Sequence, residues 1–187
     1  MITGGAAAAV AAPRFGGTLT GMAAPLAVHR ASVWVQHGQV LVSDAEDGDL
    51  AGLDDSWDDA VESGHFVGAA DGIVSIVTPR ADSSGTPFTV EEWADEPPDD
   101  RHDWDHEVDI DVDVPSGKLE LFLTTGEIED GTVRLTKAGP CRLRVSARFP
   151  EAGDDAADVY RLRVWPRTAD TPPQLRQSWP HWPSVRS

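Results

Sequence analysis

The chain reads as all-β, an antiparallel β-sandwich of about 8–10 short strands with one short helix, and three observations predict this. Residues 107–114 (Glu-Val-Asp-Ile-Asp-Val-Asp-Val) alternate acid with β-branched apolar residue, the period-two signature of a strand with one face in a core. Residues 141–149 alternate as cleanly, with Cys141, Leu143, Val145, Ala147 and Phe149 on one side and Arg142, Arg144, Ser146 and Arg148 on the other. Around them, apolar runs of strand length recur at roughly ten-residue intervals between clusters of Gly, Pro, Asp and Ser, the rhythm of sandwiches and barrels.

Taken in order, the sequence predicts a leader over residues 1–27, rich in Ala and Gly, a sandwich domain over 28–167 and a Pro/Trp-rich tail over 168–187. Met22 offers an alternative start within the leader. Val33 and Val35, then Val40 and Val42, flank Gln36-His37-Gly38-Gln39, which predicts a tight hairpin. From Asp44 to Asp59 interspersed acids, glycines and serines favour a solvated loop. Ser56 is placed to cap a short helix that starts at Trp57 and stops at Gly64, with early acids favoured by the helix dipole.

Phe66 to Ala69, Ile73 to Thr78 and Pro87 to Glu92 follow as strands, turned at Asp71-Gly72 and at Asp82-Ser83-Ser84-Gly85. Residues 94–106 form a second acidic loop, since Pro97-Pro98 excludes regular structure. After the 107–114 strand, Pro115-Ser116-Gly117 predicts a hairpin to residues 118–124, where Leu119, Leu121 and Leu123 share a face. A short strand at Thr132 to Leu135, a turn at 137–140 and a polar loop at 151–158 lead to the closing strand. That strand sets Tyr160, Leu162 and Val164 opposite Arg161, Arg163 and Trp165, and Pro166 ends it. The tail carries Pro172-Pro173 and Trp179-Pro180-His181-Trp182-Pro183, and its tryptophans are expected to dock on the domain, because exposed Trp pairs are uncommon on monomers.

Charge narrows the function classes. The formal net charge is −17, and residues 1–130 hold 27 Asp/Glu against 5 Lys/Arg while residues 131–187 hold 5 against 10. So acidic a surface repels nucleic acid and anionic lipid and steers the protein towards a basic partner. A single cysteine, Cys141, excludes an intrachain disulfide and reads as a small buried hydrophobe. The apolar opening lacks the basic segment of a secretory signal, and no 18-residue apolar run occurs, so the expectation is a cytoplasmic protein.

The outward acids of the first strand (Glu107, Asp109, Asp111, Asp113) and the outward arginines (Arg142, Arg144, Arg148, Arg161, Arg163) form complementary combs, expected to meet as cross-strand ion pairs. That leaves two acidic loops without partners, Asp54, Asp55, Asp58 and Asp59 in the first and Asp95, Glu96, Asp99, Asp100, Asp103 and Asp105 in the second, as the candidate partner-binding residues. His102, Asp103, Asp105 and His106 have two histidines at a zinc-like spacing, but an extended loop sends alternate side chains apart, so no metal or other cofactor is expected. No Gly-x-Ser-x-Gly, activated Cys/His pair or phosphate-cradling glycine loop is present, so catalysis is not expected.

From Trp57 onward the order of features resembles the competence protein J family and related actinobacterial immunity-like proteins. The resemblance rests on residues 72–78 (Gly-Ile-Val-Ser-Ile-Val-Thr), Trp104-Asp-His-Glu107, Val114-Pro-Ser-Gly117, Ala138-Gly-Pro-Cys-Arg-Leu-Arg-Val145 and Tyr160-Arg-Leu-Arg-Val-Trp-Pro166, within residues 30–166. It implies a β-sandwich nuclease inhibitor, or more broadly an immunity protein that neutralises a basic nuclease or toxin without catalysis. The alternatives are a binding sandwich for a small ligand or peptide, with Trp93, Trp104, Trp165 and the tail as platforms, and a calcium-dependent accessory domain. The leader, the tail and the Asp44 to Asp59 insertion depart from the family pattern, and oligomeric state is not legible.

Overall fold

Among the described residues, eleven strands and one α-helix are laid down in the order β1 (Ala27–Val35), β2 (Gln39–Asp44), α1 (Leu53–Glu62), β3 (Val67–Ala70), β4 (Ile73–Val77), β5 (Ser83–Glu92), β6 (His106–Val114), β7 (Lys118–Leu123), β8 (Gly126–Arg134), β9 (Gly139–Arg148), β10 (Val159–Pro166) and β11 (Gln174–Gln177). This is a computed structural model that describes residues 23–47, 50–80, 82–123, 126–150 and 157–182, with backbone alone at 84 and 126–130. The expectations for residues 1–22 and 151–156 lie outside the described residues.

Two sheets form the predicted sandwich, a six-stranded one ordered β1-β5-β10-β9-β6-β11 and a five-stranded one ordered β3-β4-β2-β7-β8. All neighbours are antiparallel except β5 and β10, which run parallel. The alternating strands send their apolar residues inward as expected. Val108, Ile110, Val112 and Val114 join Leu143, Val145, Tyr160, Leu162, Val164, Phe88 and Val90 against Val40, Val42, Val74, Ile76, Leu119, Leu121 and Val133 of the facing sheet. Burying side chains of this size contributes about 1.5–3 kcal/mol each before the entropy of ordering is subtracted.

Both expected hairpins at 36–39 and 115–117 are instead crossings between the sheets. The first turn does carry left-handed residues, His37 at φ 58° and Gly38 at φ 71°, and Gln36 bridges Gln39. Yet β1 pairs with β5 while β2 pairs with β4 and β7, so the turn hands the chain across the sandwich. Likewise β6 pairs with β9 and β11, and β7 with β2 and β8. Alternation reports which face a residue occupies, not which strand lies beside it. The second crossing is pinned by Asp44, whose carboxylate accepts the backbone N–H groups of Ser116 (2.7 Å) and Glu46 (2.8 Å). The Asp71-Gly72 turn is as expected, whereas Ser83 already belongs to β5, paired with Val35.

The helix begins earlier than expected and Ser56 does not cap it. Gly52 stands at the cap, where an added Cβ would lie 2.3 Å from the Ala70 carbonyl oxygen, so only glycine fits. Ser56 is buried inside the helix and donates to the Leu53 carbonyl (2.9 Å) while meeting Ser75 Oγ at 2.7 Å, and Ser75 accepts from Gln39 Nε2 (2.9 Å). This relay ties β2, β4 and α1 together beneath the helix. A Cβ at Gly68 of β3 would meet Ala60 N at 2.2 Å, so its absence lets the helix lie directly on the sheet. Gly64, at φ 69°, follows the helix end where it was expected.

The tail docks, as its tryptophans predict. β11 pairs antiparallel with β6 at the edge of the larger sheet. Trp179 lies on Phe149 with ring centres 4.2 Å apart, and Trp182 stacks on Phe66 at 4.0 Å.

Candidate functional site

Charge on this molecule separates into a buried, neutralised face and an exposed, acidic one. On the outer face of the six-stranded sheet the register sets Asp109 opposite Arg144 and Asp111 opposite Arg142, so the two combs interlock. Arg144 grips Asp109 bidentately (Nε to Oδ1 2.6 Å, Nη2 to Oδ2 2.8 Å), and Arg142 reaches Asp111 at 2.6 Å. Glu107 accepts from Ser146 (2.8 Å), Arg163 (3.0 Å) and Arg176 (3.0 Å). Arg167 bonds Asp111 (2.9 Å) and Asp113 (2.7 Å). Of the expected arginines only Arg148 lacks a carboxylate among the described residues, and it lies near the Trp104 ring instead, 5.7 Å from its centre.

These pairs were expected on a solvated face, but most are buried, with Asp111 half-buried and Asp113 exposed at the end of the row. Glu107 and Arg144 are fully covered, because the 93–105 loop and the tail close over the sheet. Burial pushes the Arg144 guanidinium towards losing its proton, and the hydrogen bonds and charges of Asp109, Glu96 and Glu107 outweigh that and hold its pKa above the ordinary value. Arg163 is held below the ordinary value, by burial first and by neighbouring Arg161 second, against the pull of Asp100 and Glu107. Such a network specifies one arrangement of strands and covers while leaving net stability modest, since desolvation offsets much of the attraction.

The second acidic loop is therefore mostly not free, and the expectation that its acids lack partners is corrected. Glu96 accepts from Arg144 (2.8 Å), and Asp100 pairs with Arg161 (2.8 Å) and Arg163 (2.7 Å). Asp99 is bound by Arg101, whose hydrogen bonds hold its carboxyl well below the usual range. Asp105 accepts the Phe149 N–H (2.8 Å). The physical reason is that paired prolines fold this loop back over the sheet, where the arginines need counter-charges. Asp95 and Asp103 remain exposed, with His102 beside Asp103 at 3.5 Å.

Helix α1 is different. Asp54, Asp55, Asp58 and Asp59 are all exposed, and among the described residues none meets a lysine or arginine. Asp59 also accepts the Ala69 N–H (3.0 Å), which fixes the helix to β3. Helical spacing puts Asp54, Asp55, Asp58 and Asp59 on one solvent face, opposite buried Ser56 and Ala60.

Sequence reasoning missed Arg167 and Arg176, which complete the buried network from the tail side, and it placed His106 in the loop. His106 instead opens β6, paired with Ala147 and on the core side with Val108. No local pattern marks a tail arginine as a partner of a strand 50 or more residues earlier. The aromatic platforms are also taken: Trp93 and Trp165 are buried, and Trp104 carries Arg161 over its ring at 4.4 Å. Among the described residues no three His, Cys, Asp or Glu side chains converge as a metal site requires. No helix among them is long and apolar enough to cross a membrane.

The class defined by this fold is a two-sheet, antiparallel-dominated β-sandwich with one surface helix. No family model and no curated protein matches the chain. Among solved structures it is similar to ComJ from Bacillus subtilis, described as an inhibitor of the DNA degrading activity of NucA, with TM-score 0.54 and 17% identity over 78% of this chain and 99% of that one. A second match, described as crocagin biosynthetic gene J, has TM-score 0.48 and 14% identity over 76% of this chain and 100% of that one. At these identities the likeness is one of fold.

Proposed function

We propose that this protein is a non-catalytic, cytoplasmic inhibitor or immunity protein that binds a basic partner, a nuclease or toxin, through the acidic face of α1. The observation that carries the reading is the contrast between acids on one molecule: those of the sheet and Glu96, Asp99 and Asp100 of the second loop are matched to arginines, while Asp54, Asp55, Asp58 and Asp59 face solvent and meet no lysine or arginine among the described residues. A nuclease presents a cationic, phosphate-binding cleft, and a rigid row of carboxylates complements it. The fold likeness to an inhibitor of a DNA-degrading enzyme supports the same class. Asp95 and Asp103 are further exposed acids, on the loop that covers the six-stranded sheet, and Glu96, Asp99, Asp100 and Asp105 anchor that loop.

The test is an inhibition assay against the basic nuclease or toxin encoded beside this protein's gene, comparing wild type with Asp54, Asp55, Asp58 and Asp59 all changed to Asn. Loss of inhibition with retained folding supports the reading. Full inhibition by the variant moves the interface off α1, and no binding to any basic partner returns the protein to the ligand-binding class.

A further inference from the structure

His106 closes one end of the sandwich in a setting that only its neutral form satisfies. The imidazole is buried, Nε2 lies 2.7 Å from the His65 carbonyl oxygen, and Nδ1 lies 3.3 Å from the backbone nitrogen of Trp179. A carbonyl can only accept and a backbone N–H can only donate, so the ring carries its proton on Nε2 and keeps Nδ1 bare. Phe66 and Trp182 stand edge-on to it, with ring centres at 6.2 and 5.6 Å.

The surroundings offer a second proton no welcome. From the α1–β3 connection the ring meets the His65 carbonyl, and the His65 ring is the titratable group there. The tail contributes Trp179 and Trp182, with His181 against Trp179. β9 contributes Ala147 across the register, and Phe149, just past its end, belongs to the same aromatic cluster. Of its sequence neighbours, Asp105, just before β6, is turned to the Phe149 N–H, and Glu107 to Ser146, Arg163 and Arg176 on the other face. No carboxylate among the described residues is bonded to the ring.

We infer that His106 is a pH-sensitive latch for the C-terminal segment: neutral, it accepts the Trp179 N–H and holds Trp179 and Trp182 in the aromatic cluster; protonated, it turns an N–H against an N–H and releases them. The sign follows from the bond. The docked state favours the neutral ring, in keeping with burial lowering its pKa, so docking is strongest above the ordinary histidine value. Once pH falls below about 6.5, the docking constant drops by up to about tenfold per pH unit, until the docked ring itself titrates.

The experiment is ¹⁵N NMR on the full chain from pH 7.5 to 5.0, following the indole N–H signals of Trp179 and Trp182, the His106 ring nitrogens and the amides of β6 and β9. Wild type is expected to show an Nε2–H tautomer at pH 7.5 and release of both indoles in step with His106 protonation, while the sheet amides stay native. His106→Asn, which keeps an acceptor and cannot be protonated, should hold the tail without pH dependence. The His65→Gln/His181→Gln double variant should keep the wild-type response. Indoles that stay docked to pH 5.0, an unchanged response in His106→Asn, loss of the response in the double variant, or sheet amides lost together with the indoles would each overturn the latch. Should His106→Asn fail to dock at all, the double variant alone decides, by keeping or losing the response.

Discussion

Arg144 and Asp109 face each other across β9 and β6 in a bidentate pair, and the guanidinium is wholly buried on what pattern alone would make a solvent face. Its Nη1 finds no hydrogen-bond acceptor among the described residues, and the guanidinium lies over the Trp165 ring, 5.2 Å from its centre. One side chain thus fixes a strand, a loop through Glu96 and the face of an aromatic ring.

Arg144→Ala leaves Asp109 and Glu107 short of a cation inside the cover. Removing one partner of a buried pair costs about 3–5 kcal/mol, far above a surface pair, so urea unfolding should show a large loss of stability. A loss under about 1 kcal/mol would mean the network behaves as a solvated surface.

Asp44 gives the sandwich a pH dependence of known sign. Burial pushes its carboxyl up, but the Ser116 and Glu46 N–H groups together with Lys118 outweigh this and hold it below 3.8. A depressed carboxyl stabilises the fold above its unfolded value, and that contribution is lost as pH falls through the folded value. Asp44→Asn should therefore lower stability at pH 7 and flatten its decline as pH falls below the ordinary carboxyl range, measured by thermal unfolding at each pH.

How much of this was legible follows from what period-two patterning encodes. It assigns faces, so the cores of β6, β9 and β10 and the interlocking combs were readable from Val108, Leu143, Leu162 and their charged neighbours. It does not assign neighbours, so the turns at Gly38 and Gly117 were taken for hairpins when they join different sheets. Nor does it show what lies over a face: Glu96 from the loop before β6 and Arg176 from the tail close over the Arg144–Asp109 pair, which no single window of residues reveals. Ser56 was taken for a cap because its chemistry suits one, and the tight approach of Ala70 to Gly52 overrode it. The acids of α1 meet no lysine or arginine among the described residues, and Asp54 and Asp55, which composition alone puts in a loop, lie in the first turn of the helix.

Cys141 is expected to be inert in the folded protein. Burial pushes its thiol up to about 11, and Sγ donates to the Gly139 carbonyl. A thiol reagent at pH 8 should label it only in denaturant, since the thiolate is the reactive form and access is blocked. Fast labelling of native protein would show that the end of β9 opens.

The account rests most heavily on α1 as the docking face, and the rate of association reports on it directly. Stopped-flow binding to the basic nuclease or toxin proposed as the partner, measured from low salt to well above 0.15 M, should give a rate constant that falls steeply as the screening length drops below about 8 Å. Changing Asp54, Asp55, Asp58 and Asp59 to Asn should slow association at low salt, flatten the salt dependence and leave unfolding within about 0.5 kcal/mol per site of wild type. A variant that associates at the wild-type rate with the wild-type salt dependence would contradict the account.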